Sequence, residues 1–385
     1  MAELLSPISK STFFSKYWQN ESLVCQSGQA TKFLDLMSLE KIEEIFSSRE
    51  LSRTQLRVVV NDRQINPNLY VDGIEPWSNV SRQMALKYYS EGATLVFNGM
   101  QRNFTELARF CGEIGEELTS KIHANVYLTP PSKQGFLAHY DTHDVFVLQL
   151  SGSKDWKLYD SNYKLPLESH EYSNEEHFTG NINREFRLMA GQYCYIPRGI
   201  VHEAKANNDL SLHITIGIAS PLWIDVIKDA IDELAKSNVM LRRVIPDAYA
   251  SGATSCTTSE IENLIREIRK SGCIERAYDS NLKKFRDREN SNFTGRLLSI
   301  SKSSNVSSFS EVKRIKPIKY IEVAEEIEIE NGDSVLRLPR KTYKSLKKLA
   351  KSESVVVEQL GGDLDVQGNI VLVKRLIREE FLTLI

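Results

Sequence analysis

The stretch Gln134–Asp160, QGFLAHYDTHDVFVLQLSGSKDWKLYD, packs a His-x-Asp pair, an apolar run and a charged hairpin into one short span. In an extended strand, residues i and i+2 face the same way, so His139 and Asp141 project from one face while Tyr140 packs on the other. Outward from there the pattern continues as short strands divided by Gly, Asn and Asp: HANVYL at 123–128, LAHYD at 137–141, VFVLQL at 145–150, WKLY at 156–159, FRLM at 186–189, YCYIP at 193–197, HEAKA at 202–206 and SLHITIGIA at 211–219. Many short strands at this spacing predict a sandwich or barrel, and a jelly roll is the natural candidate.

Two ligands on one strand ask for a third from elsewhere. His202 follows the turn Pro197-Arg198-Gly199 and enters a separate strand. His139, Asp141 and His202 together form the pattern of a 2-His-1-carboxylate triad, which holds one face of Fe(II) and leaves the remaining positions open for a cosubstrate and dioxygen. Chance supplies such triplets in many chains, and it is the surrounding jelly-roll pattern that gives this one weight. Lys154, just past Ser151-Gly152-Ser153, would in isolation be a solvated hairpin lysine. Near an iron site a buried cation is costly unless an anion meets it, and the distal carboxylate of 2-oxoglutarate is such an anion. His143 reads as structural or substrate-side and His213 as a packed core histidine, while His123 and His170 carry no signal.

The segments NVYLTPPSKQGFLAHYDTHDVFVLQLSGSKDWKLYD, GQYCYIPRGIVHEA and SLHITIG resemble the JmjC-type, cupin-fold 2-oxoglutarate oxygenases, and most closely their ribosomal oxygenase branch. The resemblance implies that His139, Asp141 and His202 bind Fe(II) and that Lys154 anchors the 5-carboxylate of 2-oxoglutarate, with dioxygen as co-reactant. It implies further that Asn125 and Tyr127 line the cosubstrate pocket and that Thr215 reaches the cosubstrate. A protein side chain, most simply an arginine or histidine of a ribosomal protein, is the implied target of hydroxylation. The fragment HYDTHDVF also looks like cupin-type bacterial proteins that act on ribosomally made peptides. Hydroxylation of a small metabolite or N-methyl demethylation would use the same site.

The fold class expected is α+β: a catalytic domain over 1–220 with a mixed N-terminal extension, a helical region over 221–298, and a linker with a small module over 299–385. Within the extension, LRVVV at 56–60 and ATLVFNG at 93–99 read as strands, and a helix follows, capped by Asn103 with Glu106 three residues on and an apolar stripe through Leu107, Cys111, Ile114 and Leu118. Helical period returns in 221–237 through Trp223, Val226, Ile227, Ala230 and Leu234, and again in 259–271, where Ser259 and Glu262 form a capping box and Ile261, Leu264, Ile265 and Ile268 an apolar face. The serine-rich 299–310 reads as a flexible linker or surface loop. By resemblance the helical region makes a homodimer and the C-terminal module is of winged-helix type.

The chain's 385 residues, 41% hydrophobic and 26% charged, suit a globular protein of two or three domains at about 100 to 200 residues each. A formal charge of -2 supplies no global field for nucleic acid. The local run PRKTYKSLKKLAK at 339–351 offers a nucleic-acid patch, but the acidic residues 322–330 beside it favour a solvated helix face. Five scattered cysteines without a C-x-x-C pair fit a reducing cytoplasm better than a disulfide framework, and no apolar stretch reaches membrane-spanning length.

Overall fold

The computed structural model describes residues 1–48, 50–161, 163–243, 258–287, 296–331 and 334–385. The chain divides into two compact units, Met1–Asn290 and Ser291–Ile385. In the first, strands β1 (Leu23–Cys25), β2 (Leu56–Val60), β3 (Arg63–Gln64), β4 (Thr94–Phe97), β5 (Lys121–Thr129), β6 (Asp144–Ser151), β7 (Ser153–Ser161), β8 (Phe178–Met189), β9 (Tyr193–Ile196), β10 (His202–Ala206) and β11 (Ser211–Ala219) follow in chain order. They form an eight-stranded sheet, β1-β9-β6-β11-β5-β4-β2-β3, and a three-stranded sheet, β10-β7-β8, with every pairing antiparallel.

Period two builds two cores on opposite faces of the larger sheet. Along β6, Phe146 and Leu148 join a core shared with the N-terminal segments, whereas Val145 and Val147 join Trp156, Leu158 and Leu188 between the two sheets. The same alternation sends Ile122, Ala124, Val126 and Leu128 of β5 and Leu212, Ile214, Ile216 and Ile218 of β11 into the first core. His123, Asn125 and Tyr127 of β5, and His213, Thr215 and Gly217 of β11, are therefore left on the face toward the smaller sheet. Crossing from β6 to β7 takes one residue. Gly152 holds φ +63° there, and a Cβ on it would come within 1.9 Å of the Leu210 carbonyl oxygen, so glycine alone fits the crossover.

Four expectations are corrected. LAHYD is not a strand: only His139 pairs, through a single bridge to His202, because the chain leaves β5 through turns at 131–132 and bends again before β6. The helix Thr105–Leu118 is preceded by Phe104 at its N-cap with no side-chain cap, and Asn103 instead accepts from Gln55 Nε2 at 3.3 Å; its stripe of Leu107, Cys111 and Ile114 is buried as expected. In Trp223–Ser237, Val226, Ala230 and Leu234 pack on Cys273 and Ala277 of the helix Cys273–Asp287, but Trp223 is 72% exposed. The serine-rich stretch is not a bare linker: it enters the helix Arg296–Ser303, and Ser303 and Val306 are buried. The helix Thr258–Lys270 includes Ser259, whose side chain, and with it the capping box with Glu262, lies outside the described residues.

The second unit packs the helices Arg296–Ser303, Tyr343–Lys351 and Val366–Arg378 with two three-stranded sheets around a core of Val312, Ile327, Leu346, Val373 and Leu376. The basic run lies on Tyr343–Lys351 and the turn before it, where Lys344 pairs with Asp363 at 2.6 Å and Arg340 with Glu322 at 3.4 Å. Among the described residues, no helix is long and apolar enough to cross a membrane.

Candidate metal centre

Although the segment bearing His139 is not a strand, it is pinned at both ends of the His-x-Asp pair. His139 and His202 exchange two backbone hydrogen bonds, of 3.1 and 2.8 Å, and the Gly199 amide donates to the Asp141 carbonyl at 3.0 Å. The bridge brings the two imidazoles to 4.7 Å between centroids and places His202 Nε2 3.7 Å from Asp141 Oδ2. One ligand atom from each of His139, Asp141 and His202 falls within 4.8 Å of the other two. Asp144, the second acid of the motif, is fully buried elsewhere, accepting from Tyr195 Oη at 2.8 Å and the Arg198 amide at 3.3 Å.

The donor set suits a divalent metal. His139 Nδ1 lies 2.7 Å from the Leu137 carbonyl oxygen and His202 Nδ1 2.9 Å from that of Ile200, so each Nδ1 donates to a carbonyl and Nε2 is the ring atom left for a metal. Burial lowers the His202 pKa to about 4, with the neighbouring His139 acting in the same direction, which keeps its ring neutral at physiological pH. Burial pushes Asp141 up, but four histidines, His143 foremost, outweigh it and hold the carboxyl below its ordinary range.

These three residues line a cavity of about 270 Å³. Lys154, Trp156 and His213 enter its wall 4%, 5% and 3% exposed. Lys154 has no hydrogen-bond or ion-pair partner among the described residues, and burial brings its pKa down to about 7. Trp156 Nε1 and His213 Nδ1 also lack hydrogen-bond partners. A pocket edged by three unpartnered nitrogen groups, one of them a cation, is built to receive an anion.

Tyr127 and Thr215 line the same cavity, and Tyr127 stacks on His213 at 4.7 Å with the rings 6° from parallel. Asn125 is not among the lining residues; its Oδ1 accepts from the Gly99 amide at 3.0 Å, tying β5 to the end of β4. His123 acquires a place that sequence gave it no reason to have. It lies 4.7 Å from His143 over Gly217, where a Cβ would come within 2.2 Å of its ring, and burial with His143 beside it lowers its pKa to about 4. Arg57, Phe136 and Glu203 are further lining residues that motif reading passed over. His170 is structural, its Nδ1 held 2.6 Å from Tyr163 Oη.

The JmjC domain profile matches residues 99–226, a span that contains the triad, Lys154 and the segments that carry them. Residues 99–226 are a JmjC domain. The chain is 32% identical over 256 residues to ribosomal oxygenase 2 of Mus musculus, covering 63% of this chain and 53% of that protein. To the bifunctional lysine-specific demethylase and histidyl-hydroxylase NO66 of Drosophila mojavensis it is 33% identical over 257 residues, covering 63% of this chain and 28% of the relative. The chain thus spans about half or less of the curated relatives it matches. Among solved structures, ribosomal oxygenase YcfD of Escherichia coli in complex with cobalt and 2-oxoglutarate shares the fold, with a TM-score of 0.52 at 14% identity, covering 98% of each chain. The JmjC domain and its flanking elements therefore share an architecture with a protein of low sequence identity.

Proposed function

We propose that this JmjC protein is an Fe(II)- and 2-oxoglutarate-dependent oxygenase that hydroxylates a side chain of a protein substrate, with a ribosomal protein as the favoured class. The observation that carries this reading is the convergence of His139, Asp141 and His202 on one point of a cavity that also holds the buried, unpartnered Lys154. The likeness to ribosomal oxygenase 2 and NO66 supports the substrate class.

In this reading His139 Nε2, Asp141 and His202 Nε2 hold the iron, and Lys154 meets the distal carboxylate of 2-oxoglutarate. Tyr127 and Thr215 complete that wall, with Asn125 bracing it from behind. Bound iron with 2-oxoglutarate and dioxygen supplies the oxidation, converting 2-oxoglutarate to succinate and carbon dioxide as a C–H bond of the substrate gains a hydroxyl. The chain's own part is to orient both imidazoles through their Nδ1–carbonyl hydrogen bonds, to match a carboxylate with a buried ammonium, and to shield the reacting groups from water behind Trp156 and Phe136.

The reading extends to the flanking regions. We assign residues 221–298 to homodimerisation, supported by Trp223, Ile261 and Ile265, which are 72%, 47% and 59% exposed in the single chain, and the C-terminal module to a winged-helix type. A reducing cytoplasm suits the buried free thiols of Cys25, Cys111, Cys194 and Cys273.

The test is anaerobic titration of the purified chain with Fe(II) and 2-oxoglutarate, followed by admission of air in the presence of ribosomal proteins and a mass-spectrometric search for gain of one oxygen atom. Binding of both, with oxygen gained on a protein side chain, is the expected result. Failure to bind Fe(II), or binding of Fe(II) without 2-oxoglutarate, would refute the reading.

A further inference from the structure

Arg57 lies on β2, ahead of the JmjC domain, in a run where Leu56 and Val58 are fully buried and alternation turns Arg57 to the other face. There it lines the cavity of the triad and also a neighbouring open concavity bounded by Arg53, Gln64, Pro67, Ile74 and Pro76. It is the residue that the two spaces share. Its guanidinium stands 6.0 Å from the centre of the Phe136 ring, which is in turn 5.7 Å from the His139 ring. The guanidinium is thus at most about 12 Å from a proposed metal ligand, the span of three or four extended residues at ~3.3 Å apiece.

Both arginines are held in place by neutral groups. Arg57 Nε donates to Asn98 Oδ1 at 3.2 Å, and Arg53 Nη1 donates to Asn68 Oδ1 at 2.8 Å and to the Gly73 carbonyl at 2.9 Å. Neither forms an ion pair among the described residues. Glu203, the other acid in the cavity wall besides Asp141, is already engaged by Tyr159 Oη at 2.6 Å and Gln134 Nε2 at 2.9 Å. Two fixed guanidiniums with donors to spare are complementary to a carboxylate, which they can grip through paired N–H groups. Apolar surface lies at the concavity, since the lining Ile74 is 77% exposed and Trp77, next in sequence to the lining Pro76, is 73% exposed. Arginine and tryptophan are among the residue types enriched where proteins recognise one another.

We propose that Arg53 and Arg57 read an aspartate or glutamate that lies within three or four residues of the modified side chain, while Ile74 and Trp77 receive an apolar residue beyond it. The surface docks an extended, acidic segment of the substrate protein. This inference rests on the protein-hydroxylase reading for what occupies the cavity, but the charge preference is a property of the surface itself.

The test uses the full chain, immobilised with Mn(II) and 2-oxoglutarate under nitrogen, and libraries of short peptides fixed at one position as Glu, Ala or Lys and randomised elsewhere. Retention is read by mass spectrometry. Glu-fixed peptides should be retained about tenfold better than Lys-fixed ones. Arg57→Gln should level the two, and Arg57→Glu should invert the order, an outcome that mere loss of structure does not produce. Arg53→Glu, which lies outside the triad cavity, should shift the preference in the same direction and decides the matter should the Arg57 variants fail to fold. Equal retention of Glu- and Lys-fixed peptides by the unmodified chain, or unchanged sorting in Arg53→Glu, would overturn the proposal. Sorting by charge with no peptide gaining oxygen once Fe(II) and air are supplied would leave the carboxylate-reading surface standing and sink the oxygenase reading instead.

Discussion

The cavity has two kinds of wall. One is carried by strands paired on both sides: Lys154 and Trp156 on β7 and His213 on β11 are 3% to 5% exposed and set by strand pairing, Lys154 opposite Leu188 and Ala206, and His213 opposite Tyr127. The other is carried by the irregular segment with Phe136, His139 and Asp141 and by Arg57 on β2, all partly exposed. Ladder hydrogen bonds and a packed core fix the first wall and also β2, where Arg57 pairs with Val96, whereas the segment of the second is tied by isolated contacts, chiefly the His139–His202 bridge and the Gly199 and Asp62 amides to the Asp141 and Gly135 carbonyls. The difference matches two tasks: a small anion of constant shape needs rigid, dry partners, and a macromolecular substrate needs an accessible rim.

The largest expected effect tests the seam where the walls meet. His139→Ala, Asp141→Ala and His202→Ala should each weaken Co(II) or Fe(II) binding by at least ~100-fold, because loss of a direct ligand exceeds the 10–100-fold typical of an outer partner. Anaerobic metal titration followed by absorption measures it, and a variant that retains full affinity would break the triad. Next, Trp156→Ala should cost about 3 to 5 kcal/mol of unfolding free energy and Phe136→Ala about 1, as read by denaturant titration. Equal losses would erase the contrast between the walls.

Lys154→Ala should lower 2-oxoglutarate affinity by about 10- to 100-fold with the metal retained, the scale of one charged hydrogen bond. The smallest effect is on pH dependence. The free ammonium of Lys154 titrates near pH 7, and only its charged form matches a carboxylate, so 2-oxoglutarate affinity should decline as pH rises above about 7. Lys154→Arg should flatten that decline, since guanidinium stays charged; a wild-type profile that is level from pH 6 to 9 would contradict the assignment.

Much of this arrangement was legible because strand alternation is local. Period two in SLHITIG and NVYL separated His213 and Thr215, and Asn125 and Tyr127, from the isoleucines, leucines and valine that fill the core. The His-x-Asp spacing and a later histidine singled out the three proposed ligands, although the strand inferred for LAHYD is a single bridge. Illegible were residues whose role depends on contacts distant in sequence. Arg57 sits in an apolar run far from the motif, Trp156 and Phe136 look like ordinary core aromatics, and His123 gains meaning only where Gly217 leaves room for its ring. Asn103 has a capper's chemistry, yet the helix begins two residues later and the amide turns to Gln55.

By itself, the sequence determined which faces of the strands are apolar and which residue types can hold a metal, because both follow from side-chain chemistry and short-range periodicity. Only the tertiary structure decided that His139 would be fixed by pairing with His202, that Lys154 and His213 would be buried without partners, and that Arg57 would join two spaces. Those outcomes depend on which strands lie side by side, and long-range pairing is set by the packing of the whole unit rather than by any one segment.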